Sequence, residues 1–331
     1  MAKAPTGKEL ATELCKKFPD TPSRTLAKKL YDENKERFKD LDAARSSIRF
    51  ARGNYGKPIR LATAPRANGK AGWKPACPPS SAEPWLPFVL ETPCRVLSLS
   101  DIHCPYHEQR AVEAAVKFGK KLKPDVLILN GDIADFYRVS RWQQDPKMRD
   151  LKYEMEIVKE LLSWLRGQFP KAKIIYKLGN HEERWNHYIW NKCVELWNME
   201  ALQLHNVLDF EKFGIQRVDD QPIMVGRLPV LHGHELPRGM ASPVNQARGA
   251  FLRTLHTLLV AHGHRTSTHC EPDMFGRETT TWSQGALCDL TPKFARISKW
   301  NWGFSSIEAD SAGDFNLSNY RISADYQVRT S

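Results

Sequence analysis

Apolar positions recur with three different rhythms along the chain, and each rhythm marks a segment. In residues 1–56 they follow a helical step. Leu10, Ala11, Leu14 and Phe18 share one face of a helix over 8–18. Pro19 and Pro22 interrupt it. Ser23 can cap a second helix carrying Leu26, Ala27, Leu30 and Tyr31, and Asp42 can open a third with Ala43, Ala44, Ile48 and Phe50, ending near Gly53. Three such helices predict a small all-α, helix-turn-helix-like module. In residues 57–93 no period persists, and eight prolines with Gly and Ala predict an extended linker, part of which Trp73, Trp85 and Phe88 can dock.

From Cys94 onward short apolar runs alternate with helical patterns. Strands are expected over 95–99, 125–129 and 173–178, and helices over 109–121, 148–169 and 183–197. Short strands follow at 229–231 and 258–260, then a hairpin over 302–323 that turns at Ala312-Gly313. This alternation predicts an α/β layered domain over 94–325, a sheet with helices on its faces. Trp185, Trp190 and Trp197 fall near helical spacing and are expected in its core.

Charge changes the picture of the first segment. The 331 residues carry a net +11, but residues 1–70 hold 17 Lys and Arg against 8 Asp and Glu, which leaves only +2 for the rest. A basic module of this kind suits a polyanionic partner, nucleic acid first and DNA preferred. Arg45, Arg49 and Arg52 recur at steps of four and three, so they are expected on one face of the third helix as the nucleic-acid contacts. The alternative is a basic three-helix module for protein docking or oligomerisation.

Composition excludes several classes. The longest uncharged stretch, Thr254–His264, falls far short of the about 18 apolar residues of a membrane span. The N-terminus lacks the apolar core of a secretory signal. Seven cysteines without a C-x-x-C pair speak against a disulfide framework or a zinc finger, so a reducing cytoplasm is expected.

The chemistry lies just after the apolar runs. They are followed in turn by Asp101-Ile102-His103, Gly131-Asp132, Gly179-Asn180-His181-Glu182, His232-Gly233-His234 and Ala261-His262-Gly263-His264. Ligands of open α/β sheets gather beyond the carboxyl ends of strands. In Asp101-x-His103 and His262-x-His264 alternate residues of an extended segment point the same way, so each pair can face one cation. Oxygen and nitrogen donors without thiolate favour Mn²⁺, Fe or Zn²⁺. One carboxylate such as Asp132 can bridge two cations, and two cations about 4 Å apart can hold a hydroxide for in-line attack on phosphorus.

The set D-x-H, GD, GNHE, HGH and AHGH, in this order, resembles the calcineurin-like metallophosphoesterase superfamily, over about residues 94–325. The resemblance implies a metallophosphoesterase sandwich, two sheets flanked by helices, and a metal-dependent phosphoesterase of the kind carried by bacteriophages. It implies two divalent cations, Mn²⁺ first, with Fe, Zn²⁺, Ni²⁺ or Mg²⁺ as alternatives. Asp101, His103 and His264 match the ligands of the first metal, Asp132 the bridging ligand, and Asn180, His232 and His262 those of the second. His181 matches the histidine that protonates the leaving oxygen, with Glu182 orienting it. Ala261 replaces the usual glycine of the last motif. Phe136 stands where the phosphoprotein phosphatase branch carries a phosphate-gripping arginine, a role open to Arg138 or Arg184. Asp135 is expected to orient a ligand histidine or cap a helix. His234 is expected behind the ligands or in a loop rather than as a ligand itself, and His107 either at the substrate or in a surface loop.

Joined, the two halves predict a nuclease or phosphodiesterase acting on nucleic acid. Its rivals are a phosphomonoesterase whose N-terminal module docks a partner, and a non-catalytic DNA-binding protein. With a phage origin the expected place is the host cytoplasm.

Overall fold

The computed structural model describes residues 4–53, 77–142, 145, 147, 150–237 and 244–330. The chain divides into two compact units, Met1–Ala82 and Glu83–Ser331. Residues 54–76, which include the first part of the expected linker and Trp73, lie outside the described residues.

The N-terminal unit holds three helices, α1 (Gly7–Lys17), α2 (Ser23–Glu33) and α3 (Leu41–Ala51). Thr6 and Glu9 close a capping box on the first. Two caps differ from expectation. Ser23 is already inside α2, whose N-cap is Pro22, and Asp40 rather than Asp42 caps α3 by accepting from the Ala43 amide at 2.8 Å. The core is Ala11, Leu26, Ala27, Leu30, Ala44 and Ile48, completed by Phe38 from the connection before α3. Each fully buried Leu or Ile contributes about 1.5–3 kcal/mol, and this small core is the unit's main source of stability.

The second unit is a two-sheet sandwich. One sheet has the order β13 (Val328–Thr330), β12 (Phe315–Ile322), β11 (Gly303–Ala309), β2 (Cys94–Leu99), β3 (Val126–Asn130), β4 (Lys173–Lys177), β5 (Ile215–Val218), and the other β1 (Phe88–Val89), β6 (Ile223–Val225), β7 (Leu228–Val230), β8 (Leu258–Val260), β10 (Glu278–Ser283), β9 (Ser267–Pro272). Strands β2 (Cys94–Leu99), β3 (Val126–Asn130), β4 (Lys173–Lys177) and β5 (Ile215–Val218) are parallel neighbours. Their helical crossovers include α4 (Gln109–Leu122), α5 (Leu151–Gln168) and α6 (Asn180–Lys192). Antiparallel β11 (Gly303–Ala309) and β12 (Phe315–Ile322) form the expected hairpin on the other flank. Alternate residues of the central strands bury in opposite directions, as a covered parallel sheet requires. Leu97, Leu99, Leu127 and Leu129 join Val112, Val116, Leu162 and Leu165 of the helices. Val96, Val126 and Ile128 instead meet Ile223, Val225, Val230 and Leu259 of the second sheet.

The second sheet contains β6 (Ile223–Val225), β7 (Leu228–Val230), β8 (Leu258–Val260), β9 (Ser267–Pro272) and β10 (Glu278–Ser283). The expected domain limits of 94 and 325 are both too narrow. Phe88 and Val89, expected in the linker, form β1 and pair with Ile223 and Met224, while Trp85 stays exposed. At the other end β13 (Val328–Thr330) pairs with β12. The helix expected over 183–197 begins at Asn180 and ends at Lys192. Trp185 is therefore buried, whereas Trp190 and Trp197 are exposed rather than in the core. Among the described residues no helix is long and apolar enough to cross a membrane. All seven cysteines are free thiols.

Candidate metal centre

Both sheets deliver their chemistry at one rim. Asp101 and His103 follow β2, Asp132 and Asp135 follow β3, and Asn180 and His181 open α6 directly after β4. His232 follows β7, and His262 and His264 follow β8, its parallel neighbour. The backbone turns sharply to aim these side chains. Asp101, His103, Asp132, His262 and His264 all have φ between 50° and 62°. A left-handed residue other than glycine costs of order 1–3 kcal/mol and persists where the surroundings hold it. Two glycines are required on steric grounds. A side chain on Gly131 would strike the His232 imidazole, and one on Gly179 would strike Asp132.

Asp132 belongs to two groups of donor atoms. One comprises Asp101, His103, Asp132 and His264, the other Asp132, His232 and His262, with donor atoms within 4.8 Å of one another in each. Their contacts are not those of a finished hydrogen-bond network. Nε2 of His103 faces Nε2 of His264 at 3.2 Å, and the latter is 3.0 Å from Asp101 Oδ1. His232 Nε2 lies 3.2 Å from Asp132 Oδ2 without hydrogen-bonding geometry. Asn180 Oδ1 is buried with no partner. Buried lone pairs that converge without donors between them fit divalent cations. Their oxygen and imidazole chemistry suits first-row divalent metals. Burial pushes the Asp101 carboxyl up, but neighbouring His264 holds it down, at about 2. Burial opposes ionisation of Asp132 in the same way, and His181 and His232 hold it well below its ordinary range. Both carboxylates are charged at neutral pH.

Outer contacts orient the imidazoles. His103 Nδ1–H donates to Asp135 Oδ1 at 2.9 Å, and His232 Nδ1–H donates to the Asn130 carbonyl at 2.7 Å, which leaves each Nε2 for the site. Asp135 thus meets His103, one of the expected metal ligands. Glu182 differs from expectation, because its carboxylate is engaged by backbone amides and a tyrosine rather than by the His181 ring. Its buried carboxylate accepts from the amides of Asp132 (2.9 Å), Ile133 (2.8 Å), Ala134 (3.0 Å) and Gly179 (2.9 Å), and from the Tyr176 hydroxyl (2.8 Å). It clamps the loop that presents Asp132. His181 is held by Asp135, with Nδ1 at 2.9 Å from the carbonyl and 3.0 Å from Oδ1.

Arg184 reaches this pair, whereas Arg138 sits half-buried on the short 3-10 turn Tyr137–Val139. His107 joins neither donor group and instead lies 3.6 Å from Cys104 Sγ. His234 stands beside His232 and bonds Glu183 at 3.1 Å. In the N-terminal unit Arg45 is exposed and Arg49 half-buried. Arg52 departs from the expected basic face. Its guanidinium donates to Ser23 Oγ at 3.0 Å, to the Pro19 carbonyl at 3.1 Å and to the Thr21 carbonyl, so it ties α3 to the α1–α2 turn.

Several supporting residues went unnoticed in the sequence. Fully buried Lys177 pairs with Glu235 at 2.8 Å, and Glu235 accepts from the amides of His232 (3.3 Å) and Gly233 (2.6 Å). Buried Glu154 accepts from the Phe136 amide. Cys288 shares the neighbourhood of His103 and His264, with its thiol pKa raised by burial. The Trp300 ring packs against that of His264 at 4.2 Å.

A family model described as calcineurin-like phosphoesterase matches residues 94–293. The Gene 54 protein of Mycobacterium phage L5 is 23% identical over 228 residues, and that of Mycobacterium phage D29 is 24% identical over 230. Each alignment covers 65% of this chain and 89% of the relative. A metallophosphoesterase structure from Sphaerobacter thermophilus aligns with a TM-score of 0.38 at 16% identity, over 70% of this chain and 91% of that one.

Proposed function

The chain belongs to the calcineurin-like phosphoesterase family, and from that premise we propose a nuclease or phosphodiesterase that acts on nucleic acid with Mn²⁺ as its metal. Metal-dependent phosphoester hydrolysis is the family's chemistry. The observation that supports the polymeric substrate is the segregation of charge. Nearly all the net positive charge lies in the first 70 residues, which include a helical unit with its own core. Tethering such a unit to a hydrolase raises the local concentration of bound polyanion. The phage relatives are compatible with work in a bacterial cytoplasm.

Asp101, His103, His264 and Asp132 would hold one cation, and Asp132, Asn180, His232 and His262 the other. Such cations supply Lewis acidity and activate water. The remaining work falls to side chains at the rim. Asp135 fixes the His181 ring, and Arg184 offers a guanidinium to a phosphate oxygen. Once the guanidinium turns to phosphate, His181 Nε2 is free to take up a proton from solvent and to pass it to the leaving oxygen.

The test presents the Mn²⁺-loaded protein with single- and double-stranded DNA, RNA, p-nitrophenyl phosphate and bis-p-nitrophenyl phosphate. Hydrolysis of diester and polymer is expected, and hydrolysis of the monoester alone would overturn the nucleic-acid reading. DNA affinity of the full chain should also fall steeply with salt and vanish when residues 1–60 are deleted.

A further inference from the structure

The loop Leu290–Trp300 borders the metal centre and has an unusual composition. It contains Lys293, Arg296 and Lys299 and no acidic residue, together with Phe294 and Trp300. It is firmly fastened. The Asn301 amide donates to the His264 carbonyl at 3.0 Å, and the Asn301 side chain accepts from the Thr266 amide at 2.9 Å. Ser298 Oγ donates to the Leu290 carbonyl at 2.6 Å, which closes the loop on itself. Lys293 pairs with Asp145 at 2.9 Å.

This fastening places two aromatic rings in series. Trp300 stands edge-on to the imidazole of His264 at 4.2 Å, and Phe294 stands edge-on to Trp300 at 6.2 Å. Phe294 is nonetheless 82% exposed. The fold gains little from a ring held in water on a fastened loop, since burial is what makes Phe stabilising. Trp300 thus links Phe294 to His264, a member of the first donor group. An exposed Phe294 beside a half-buried Trp300, among basic side chains, matches a π-face joined to a phosphodiester.

We propose that Phe294 and Trp300 form a stacking platform for an unpaired nucleobase next to the scissile phosphate, with exposed Arg296 and Lys299 beside the backbone. The substrate class is then single-stranded or frayed nucleic acid. This rests on the nucleic-acid reading above and adds to it the strand form and the residues that select it.

The experiment uses the full-length Mn²⁺-loaded protein and two single-stranded oligonucleotides, one with bases and one abasic around the cleavage position. Hydrolysis is followed by steady-state kinetics and binding by anisotropy of the labelled strand. Phe294→Ala should raise KM and Kd for the base-bearing strand at least about fivefold, with kcat and all abasic values unchanged. Phe294→Tyr should behave as wild type. Equal KM for the two strands in the wild type, or an unchanged KM in Phe294→Ala, would overturn the platform while leaving a nuclease in place. Failure to bind or cleave either strand, with bis-p-nitrophenyl phosphate still hydrolysed, would remove the nucleic-acid substrate and the platform with it.

Discussion

Arg184 Nη2 donates to His181 Nε2 at 2.8 Å, while Nη1 of the same guanidinium donates to the Asp135 carbonyl at 2.8 Å. Arginine has no acceptor, so the direction of the first bond is settled: Nε2 accepts, and the His181 proton sits on Nδ1, facing Asp135. The atom suited to proton transfer is therefore occupied until something draws the guanidinium away. A phosphate oxygen is the natural competitor. Arg184→Ala should lower kcat/KM for bis-p-nitrophenyl phosphate roughly 10–100-fold, from the about 1.5–3 kcal/mol of a hydrogen bond to a charged group. Arg184→Lys should recover little, because an ammonium lacks the planar fork that spans both acceptors. Unchanged kinetics in Arg184→Ala would remove it from the phosphate site.

Asp132 is common to both donor groups, so its loss should disable both. Asp132→Asn should lower activity by more than the about 10–100-fold typical of residues that only orient a ligand. A cation present at about 100 times its Kd stabilises a fold by about 2.7 kcal/mol. For a unit of this size that corresponds to roughly 5–10 °C in Tm. Calorimetry of the wild type should show this drop on chelation and its reversal by Mn²⁺. Asp132→Asn should show a much smaller response, and an equal one would exclude it as a shared ligand.

The convergence of these donors was legible because each follows an apolar run, and strand ends of a layered α/β domain meet at one rim. The support beneath them was not. Glu182 acts on amides 48 to 50 residues away, and Lys177 on carbonyls 42 and 44 residues away, contacts with backbone that no residue pattern announces. Arg52 shows the reverse error. Its spacing matched a basic face, yet the carbonyls of a neighbouring turn captured it. The missed strands are short or polar. β9 reads Ser-Thr-His-Cys-Glu-Pro and is largely exposed at a sheet edge, so neither run nor alternation marks it.

Glu154 gives the fold a pH dependence opposite to that of most carboxylates. Burial pushes it from its ordinary 4.5 up to about 8, and the Asp135 charge adds to the shift. Between these values the native state binds the proton and the unfolded chain does not, so stability falls as pH rises through the window. Glu154→Gln keeps an acceptor for the Phe136 amide but cannot ionise. Urea unfolding at pH 5 and pH 8.5 should show the wild type losing up to a few kcal/mol across this range more than the variant does. Parallel pH profiles would exclude Glu154 as the source.

Lys177 and Glu235 place the sharpest stability demand beneath the site. Lys177 is fully buried, and its ammonium donates to the carbonyls of Asp219 (3.0 Å) and Gln221 (2.9 Å) as well as to Glu235 (2.8 Å). Burial raises the Glu235 pKa, but Lys177 outweighs it and holds the carboxyl at about 2. Its contribution is therefore complete above its ordinary 4.5 and is lost as pH falls toward 2. Lys177→Met strands a buried carboxylate, at a cost of about 3–5 kcal/mol, whereas Lys177→Met/Glu235→Gln removes both charges and should be closer to wild type. The single variant should also begin acid unfolding at higher pH, since Glu235 without its partner takes up a proton sooner. The effect reaches the metal centre, because Glu235 holds the His232 and Gly233 amides. Titration of folded Lys177→Met with Mn²⁺ should show affinity weakened about 10–100-fold, the range for a group that orients a ligand. Wild-type affinity in a destabilised variant would confine the pair to folding.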